Sequence, residues 1–293
     1  METLNQFAKA KKPLHFMAFL EKLVAQFKPL QVYQYAQLGQ QWQTESVFCN
    51  PQQKEEEIYY LLIVTEGSTR IENGIQDFAN QHYTEGKVVV LAHGQATLKQ
   101  SPRMCNDFFN AVQHRGLLLY SADGILQSTA VETFNLQSHL DRAQSNWRHR
   151  YNMANGFLKA ADTAFDNGFY NVCVFLLHQV VEQFCIGMIW VFMGYRSDMH
   201  NLRRLLYLCA CFSKQPLKHF TATPENDSLL TLMMESYSCA RYKNDYTVLD
   251  THADKLYSLV YDFVQLSKEL CKNKLMEFEA AVAVVKEKEV AND

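Results

Sequence analysis

The chain has 293 residues, enough for two domains of ordinary size, each with its own hydrophobic core. Its hydrophobic fraction of 48%, with 11 glycines and 6 prolines, is typical of a folded protein and excludes a long disordered segment. The net charge of -3 excludes the broad basic surface of a protein that coats nucleic acid, so any nucleic-acid contact has to be local.

The first half alternates helical and strand periodicity, which predicts a mixed α/β domain and, with the second half, an α+β chain. The predicted elements, in chain order, are a helix at 13–27, strands at 30–38 and 58–65, a helix at 71–82, a strand at 87–92, a helix at 104–114 and a strand at 116–120. The run at 58–65 is continuously apolar, which is typical of a central strand. The polar stretch at 52–57 is predicted to be a loop, and residues 126–135 are predicted to connect the two halves.

From residue 136 onward the helical period dominates, and five helices are predicted. They lie at 137–167, 169–193, 200–212, 228–242 and 248–275. The first two are expected to end at Asn167-Gly168 and at Gly194, because glycine adopts the left-handed conformation that ends many helices. Residues 286–293 are predicted to fray. The second half is therefore predicted to be a helical bundle with short connections.

The sequence contains no clear membrane, secretion or metal signal. The longest apolar run, residues 172–195, contains four polar residues and is predicted to be a buried helix rather than a membrane span. These polar residues are His178, Gln179, Glu182 and Gln183. Residues 1–12 lack the apolar core of a signal peptide, and the eight cysteines lack metal-type pairs. We expect a cytoplasmic protein with free thiols and no metal, cofactor or membrane partner.

Three segments of the second half carry motifs. They are Gly168-Phe169-Tyr170 leading to His178-Gln179 and Glu182, then Gly194-Tyr195 leading to His200-Asn201-Leu202, and finally Ala240-Arg241-Tyr242-Lys243-Asn244-Asp245-Tyr246. In this order they resemble HEPN domains, small helical bundles that are often encoded beside or fused to minimal nucleotidyltransferases. The resemblance spans about half of the chain and implies a homodimer formed through the helical domain.

The HEPN resemblance also implies a site. In the ribonucleases of that family an Arg and a His, with four to six residues between them, act at a cleft between two copies of the domain. The Arg holds a phosphate by a fork of hydrogen bonds, and the His transfers protons. Here Arg241 is present, but Tyr246 fills the His position. Because an ordinary Tyr titrates near pH 10, phosphate binding is expected to survive better than cleavage.

The first half resembles a degenerate minimal nucleotidyltransferase. That family carries a Gly-Ser turn followed by Asp-x-Asp on a strand, where two carboxylates on the same face hold metal ions on a triphosphate. In this chain the two acidic positions correspond to Ile58 and Tyr60, and no Gly-Ser turn precedes them. The resemblance therefore implies that nucleotidyl transfer has been lost. The acidic run at 55–57 is interpreted as solvated rather than as a metal site.

Several local pairs have more than one interpretation. His178 and Glu182, four apart, share a helix face and form either a structural hydrogen-bonded pair or part of a polar patch at the cleft. Arg241 and Asp245 form a surface ion pair if their helix is continuous. Arg241 and Tyr246 can meet on one ligand only if the helix breaks near residue 244 or a partner chain supplies one of them. Asn201 or Asp198 is expected to cap the third helix.

The leading hypothesis is a HEPN protein with residues 1–135 as a degenerate nucleotidyltransferase-like domain and residues 136–293 as the helical bundle. It binds nucleotide or RNA phosphate at an intersubunit cleft and is weakly catalytic or not catalytic, and the resemblance implies a toxin-antitoxin or stress and defence context. The predicted catalytic residues are Arg241 and Tyr246. The predicted nucleotide- or RNA-binding residues are Arg241, Lys243, Asp245, Tyr246, His178 and Glu182.

Two alternatives remain open. In the first alternative, the protein is a metal-independent ribonuclease in which Arg241 and Tyr246 act with help from His178 or His252. In the second alternative, the protein is a protein-interaction scaffold that has no nucleotide ligand.

Overall fold

The computed structural model describes residues 3–4, 12–46, 49–67, 71–99, 106–124, 135–243 and 245–292. The chain divides into two compact units, Met1–Glu132 and Thr133–Asp293. The side chains of residues 3, 4, 40–56, 99, 106, 241, 242 and 288–292 lie outside the described part, as does the predicted connection at 126–135 up to its last residue.

In its described residues, the N-terminal unit is built on a mixed five-stranded sheet. The strands are β1 (Thr3–Leu4), β2 (Gln31–Ser46), β3 (Cys49–Thr65), β4 (Gly86–Gly94) and β5 (Leu117–Ser121). They lie in the order β1-β5-β2-β3-β4, with β3 and β4 parallel and the other neighbours antiparallel. The predicted mixed character is confirmed, and β3 lies inside the sheet, as its apolar run predicted.

Strand β3 is buried on both of its faces, because alternate side chains meet different helices. The helices of this unit are α1 (Leu14–Phe27), α2 (Glu72–His82), α3 (Gln95–Lys99) and α4 (Asn106–Arg115). Tyr59 stacks on Phe16 of α1 with ring centroids 3.9 Å apart. Tyr60, on the other face, packs against Tyr35, whose ring meets Phe108 of α4. Helix packing on both faces therefore accounts for the continuous apolar run.

The exposed edge of β4 is covered by a side chain from α2. Gln76 is buried, and its Nε2 donates to the Val88 carbonyl at 2.7 Å while its Oε1 accepts from the Val90 amide at 2.9 Å. These two backbone groups would otherwise lack a strand partner on that side. Gln76 therefore both satisfies and closes the edge of the sheet.

Two features of this unit differ from the sequence prediction. Strands β2 and β3 are longer than the predicted 30–38 and 58–65, because the polar stretch at 52–57 pairs with residues 39–44 instead of forming a loop. Cross-strand pairing, which apolar periodicity does not report, extends both strands. Helix α3 was not predicted.

The C-terminal unit is helical. Its helices are α5 (Leu136–Asp166), α6 (Tyr170–Met193), α7 (Leu202–Ala210), α8 (Gln215–Thr221), α9 (Pro224–Tyr242) and α10 (Asp250–Asn292). Helix α6 forms the core, since most of its side chains are buried among α5, α7, α9 and α10. In the described residues it is the one helix long and apolar enough to cross a membrane, and 78% of its most apolar window is buried inside the unit. It is thus buried, as the sequence predicted.

The ends of these helices follow the predicted signals. Gly168 and Gly194 have φ angles of 74° and 64°, and Gly194 ends α6 by donating its amide to the Trp190 carbonyl. Asn201 caps α7, because its Oδ1 accepts from the Arg204 amide at 3.1 Å. The cap interpretation of Asn201 is therefore confirmed.

Two parts of the helical prediction are wrong. Helix α8 was missed because Pro216 was taken as a stop signal, yet proline is tolerated in the first turn of a helix, where Pro216 lies. The last helix continues to Asn292, beyond the predicted end at 275, so residues 286–292 are helical rather than frayed.

The pairing of β3 with β4 requires a glycine at position 86. A Cβ atom added to Gly86 would lie 2.3 Å from the Glu57 carbonyl oxygen. We expect Gly86→Ala to lower the free energy of unfolding by about 2–3 kcal/mol, measured by urea denaturation. The matched control is Gly74→Ala in α2, where nothing lies within 4 Å of the added Cβ. It should leave stability unchanged or raise it by up to about 1 kcal/mol. Equal effects of the two changes would contradict the β3-β4 register.

Candidate functional site

Ile58 and Tyr60, the residues compared above with metal-binding carboxylates, carry no acidic group. Ile58 and Tyr60 lie on β3, and Tyr60 is fully buried. The neighbouring carboxylate of Glu57 accepts hydrogen bonds from Gln37 Nε2 at 2.7 Å and from the Tyr59 hydroxyl. Within the described residues, no group of three or more His, Cys, Asp or Glu side chains is arranged to hold a metal ion.

Four side chains line one face of α6. Asn171, Phe175, His178 and Glu182 are separated by four, three and four residues, the spacing of a single helix face. On a helix that is otherwise mostly apolar, these groups need polar or aromatic partners from outside. We call this row, with its partners, the α6 strip.

The N-terminal end of the α6 strip holds the connection between α9 and α10. Asn171 Nδ2 donates to the Tyr246 carbonyl at 2.5 Å, and the Val248 amide donates to Asn171 Oδ1 at 2.7 Å. The amide side chain thus pairs with the backbone of this connection as a short strand would. The connection is fixed against the start of α6.

The predicted signature residues lie at this connection. Helix α9 ends at Tyr242, so Arg241 and Asp245 do not share a continuous helix, and the chain turns before Tyr246. Lys243 and Asp245 are exposed. The side chain of Arg241 lies outside the described residues, so its predicted contacts stay a prediction.

The hydroxyl of Tyr246 donates a hydrogen bond inside the fold. Its hydroxyl donates to the Leu232 carbonyl at 3.4 Å, and it is half-buried. Burial, and then the nearby Cys239 and Glu235, raise the pKa of Tyr246 to about 12. Its phenol therefore stays protonated at neutral pH and does not act there as a general base.

The C-terminal end of the α6 strip holds a buried carboxylate. Glu182 is 3% exposed, and its Oε1 accepts from His200 Nδ1 at 3.1 Å. His178 Nδ1 lies 3.8 Å from Glu182 Oε2, too far for a hydrogen bond, and lies 3.2 Å from Gln179 Nε2. Burial raises the pKa of the Glu182 carboxyl, and the hydrogen bond and charge of His200 partly oppose it. The structure thus brings the predicted pair together, but the hydrogen bond comes from His200.

An aromatic stack covers this carboxylate. The ring of Tyr237 on α9 lies 4.9 Å from the His178 ring and 5.8 Å from the His200 ring, with planes inclined by 29° and 15°. Tyr237 and Arg241 are four residues apart on α9, so the two positions share one helix face. The stack therefore leads along α9 toward the Arg241 position.

Sequence reasoning missed three contributors to the strip: Asn171, Tyr237 and the role of His200 as the partner of Glu182. Asn171 could have been found from its spacing to His178 and Glu182 on an apolar helix. His252 is exposed in the first turn of α10, and in the described part of the chain no contact joins it to His178 or Tyr246.

The buried Glu182 predicts a pH effect on stability. Because its pKa is raised above 4.5 in the folded protein, stability is full below about pH 4.5 and is lost as the pH rises through the raised pKa. Glu182→Gln removes this charge and keeps an oxygen for His200. We therefore expect its melting temperature, relative to the wild type, to rise with pH in a series of thermal unfolding experiments that starts near pH 4.

Glu225→Gln is the control for that series. Glu225 is exposed, and its hydrogen bond and ion pair with Lys255 lower the pKa of its carboxyl. Its effect should be small and of opposite sign, because an exposed ion pair is screened by water. A difference between Glu182→Gln and the wild type that stays flat or falls with pH would contradict a buried Glu182.

Comparison with known proteins identifies the helical unit. No curated protein matches the chain. Two similar crystal structures are those of an archaeal HEPN homologue and of a protein from Thermus thermophilus, which are 17% and 16% identical to the chain. They cover 43% and 42% of this chain and 97% of their own, with TM-scores of 0.33. The HEPN family model matches residues 147–270, from within α5 to within α10. The helical unit of this protein therefore contains a HEPN domain.

Proposed function

We propose that the HEPN domain binds phosphate groups of RNA or of a nucleotide at the connection between α9 and α10. The observation that carries this proposal is a pair of hydrogen bonds at Asn171, one donated to the Tyr246 carbonyl and one accepted from the Val248 amide. They hold the chain a few residues after the last turn of α9. Arg241 lies in that turn, and the exposed Lys243 follows it. A fixed backbone with two adjacent cations suits phosphate, because little conformational entropy is lost on binding.

Binding is favoured over efficient catalysis. The position that a catalytic histidine takes in the ribonucleases of the family is held by Tyr246, whose hydroxyl is turned to a backbone carbonyl and whose pKa is near 12. Such a group neither accepts nor releases a proton readily at neutral pH. We therefore assign Tyr246 to positioning the connection, and Arg241 with Lys243 to holding the ligand.

A homodimer would complete this site. Phe169, Val172 and Leu249 are 63%, 49% and 62% exposed, and they flank Asn171 and its partner Val248 in sequence. Exposed apolar side chains beside a polar site support burial against a second copy. The intersubunit cleft, the cytoplasmic location and the toxin-antitoxin or defence context belong to the same proposal, and all of them rest on the HEPN resemblance. The N-terminal unit would then serve as a scaffold or ligand sensor.

One observation favours ribonuclease activity as a second candidate. The imidazole of His200 is 59% exposed, and its Nδ1 is held by the buried carboxylate of Glu182. A carboxylate that orients an accessible imidazole is a common arrangement for proton transfer. If cleavage occurs, His200 is therefore a better base than His178, which is buried, or His252.

RNA binding tests the proposal. Fluorescence anisotropy with a labelled oligouridylate of about ten nucleotides should show binding that weakens about tenfold in Arg241→Gln and less in Lys243→Gln. Arg148→Gln, an exposed arginine on α5, is the control and should bind as the wild type does. Absence of binding by the wild type, or equal affinity of Arg241→Gln and the wild type, would overturn the proposal.

The same RNA distinguishes the two candidates. Incubation with the wild type in excess EDTA should leave the RNA intact, because binding is expected without efficient catalysis. Metal-independent cleavage that is lost in both His200→Ala and Glu182→Gln would instead establish the ribonuclease. The folded state of both variants is checked by circular dichroism.

A further inference from the structure

Strands β2 and β3 extend together beyond the rest of the sheet. The pairing of β2 with β5 ends at Gln34, and the pairing of β3 with β4 begins only at Glu57. Residues 40–46 and 49–56 pair with each other, and among the described strands no third one joins them. We call these two segments the β2-β3 arm. At about 3.4 Å per residue, the arm is about 24 Å long.

A two-stranded arm of this length gains little stability on its own. Isolated hairpins are at most marginally stable in water, and a further strand is one means of stabilising them. Each outer edge of the arm also presents backbone amides and carbonyls that no strand pairs in the part of the chain that the structure describes. Such an edge is a template for a strand from another chain.

The β3 edge of the arm is protected against pairing by its residue types. It contains Pro51, which has no amide to donate, and the charged residues Lys54, Glu55 and Glu56. Proline and charges on an exposed edge are common means by which proteins prevent association of one sheet with another. An added strand is therefore expected on the other edge, along β2.

The β2 edge of the arm lacks this protection. Residues 40–46 contain one charged residue, Glu45, and no proline, and the others are glutamine, tryptophan, threonine and serine. Tryptophan and threonine favour strands. A strand with so little charge can pair with a copy of itself, because like charges do not have to lie opposite each other.

Two copies of this strand fit together in an antiparallel arrangement with a two-fold axis at Trp42. In that register Trp42 lies opposite Trp42 of the second copy, and Gln41 lies opposite Gln43. Glu45 then comes opposite Gly39, so no like charges meet, and the tryptophans form a cross-strand aromatic pair. A two-fold interface uses the same surface of both copies and is therefore closed.

We propose that the β2 edge of the arm pairs with the same edge of a second copy of this chain. The strands β3 and β2 of one copy and β2 and β3 of the other then form a continuous four-stranded antiparallel sheet. This interface belongs to the N-terminal unit and differs from the dimer proposed for the helical unit. It does not depend on RNA binding, and it gives the N-terminal unit a role in assembly.

Charge exchange at the opposed glutamines tests the interface. Gln41→Lys with Gln43→Lys places like charges opposite each other, so the mass of the full-chain assembly in analytical ultracentrifugation should fall by about a factor of two or more. Gln41→Glu with Gln43→Glu should have the same effect. An equimolar mixture of the two variants should recover the wild-type mass, because each lysine then faces a glutamate. Gln52→Lys with Gln53→Lys, on β3, is the control and should leave the mass unchanged.

Disulfide trapping tests the position of the two-fold axis. Trp42→Cys should form a disulfide between copies on oxidation with diamide, because opposed residues of an antiparallel pair have Cα atoms about 4.5–5.5 Å apart. Lys54→Cys is the control, since Lys54 is the β3 residue paired with Trp42 and lies one strand farther from the axis. On non-reducing gels it should give no more dimer than the wild type, whose eight cysteines supply the background.

The outcomes separate this inference from the proposed function. Equal masses of the wild type and the lysine variant, or a mixture that does not recover the wild-type mass, would overturn the arm interface. Equal cross-linking of Trp42→Cys and Lys54→Cys would overturn it as well, and the β2 edge would then pair with another strand or stay exposed. Circular dichroism checks that each variant is folded. Loss of RNA binding in Arg241→Gln, with the mass unchanged, would bear on the proposed function alone.

Discussion

The helical unit depends on the burial of α6. Most of this 24-residue helix is buried, yet one face carries Asn171, His178 and Glu182. Each polar group left without a partner in such a place would cost about 1–3 kcal/mol, so its partners must be brought to it. The α9-α10 connection is held by Asn171, the link before α7 by Glu182 through His200, and α9 packs its Tyr237 over both histidines. One helix thus fixes the positions of three other segments.

Hydrogen bonds within the fold also occupy two groups that catalysis could otherwise use. The pKa of Tyr246 is raised and its hydroxyl is engaged by a carbonyl, while Glu57 in the N-terminal unit is engaged by Gln37 and Tyr59. Both groups are therefore engaged by neighbours within the fold. His200 is the exception, because its exposed ring is oriented by a buried carboxylate. Any residual chemistry would therefore start from His200.

Much of this architecture could be predicted from sequence, because apolar periodicity marks helices and buried strands directly. The buried α6 and the interior strand β3 were found in this way, and the residue types at the helix ends predicted the caps at Gly168, Gly194 and Asn201. The contacts between residues of the site could not be predicted from apolar periodicity. Glu182 and His200, for example, are eighteen residues apart across a turn. Such contacts depend on tertiary packing, which the helical period does not report.

The proposed function places RNA phosphate at the connection between α9 and α10 of the HEPN domain. Amide hydrogen exchange of the full chain, with and without an oligouridylate of about ten nucleotides, tests its location directly, because a bound strand protects the backbone that it covers. Exchange should slow in peptides that contain residues 241–248, and it should stay unchanged throughout the N-terminal unit. Protection confined to the N-terminal unit, with no change at residues 241–248, would contradict binding at this connection.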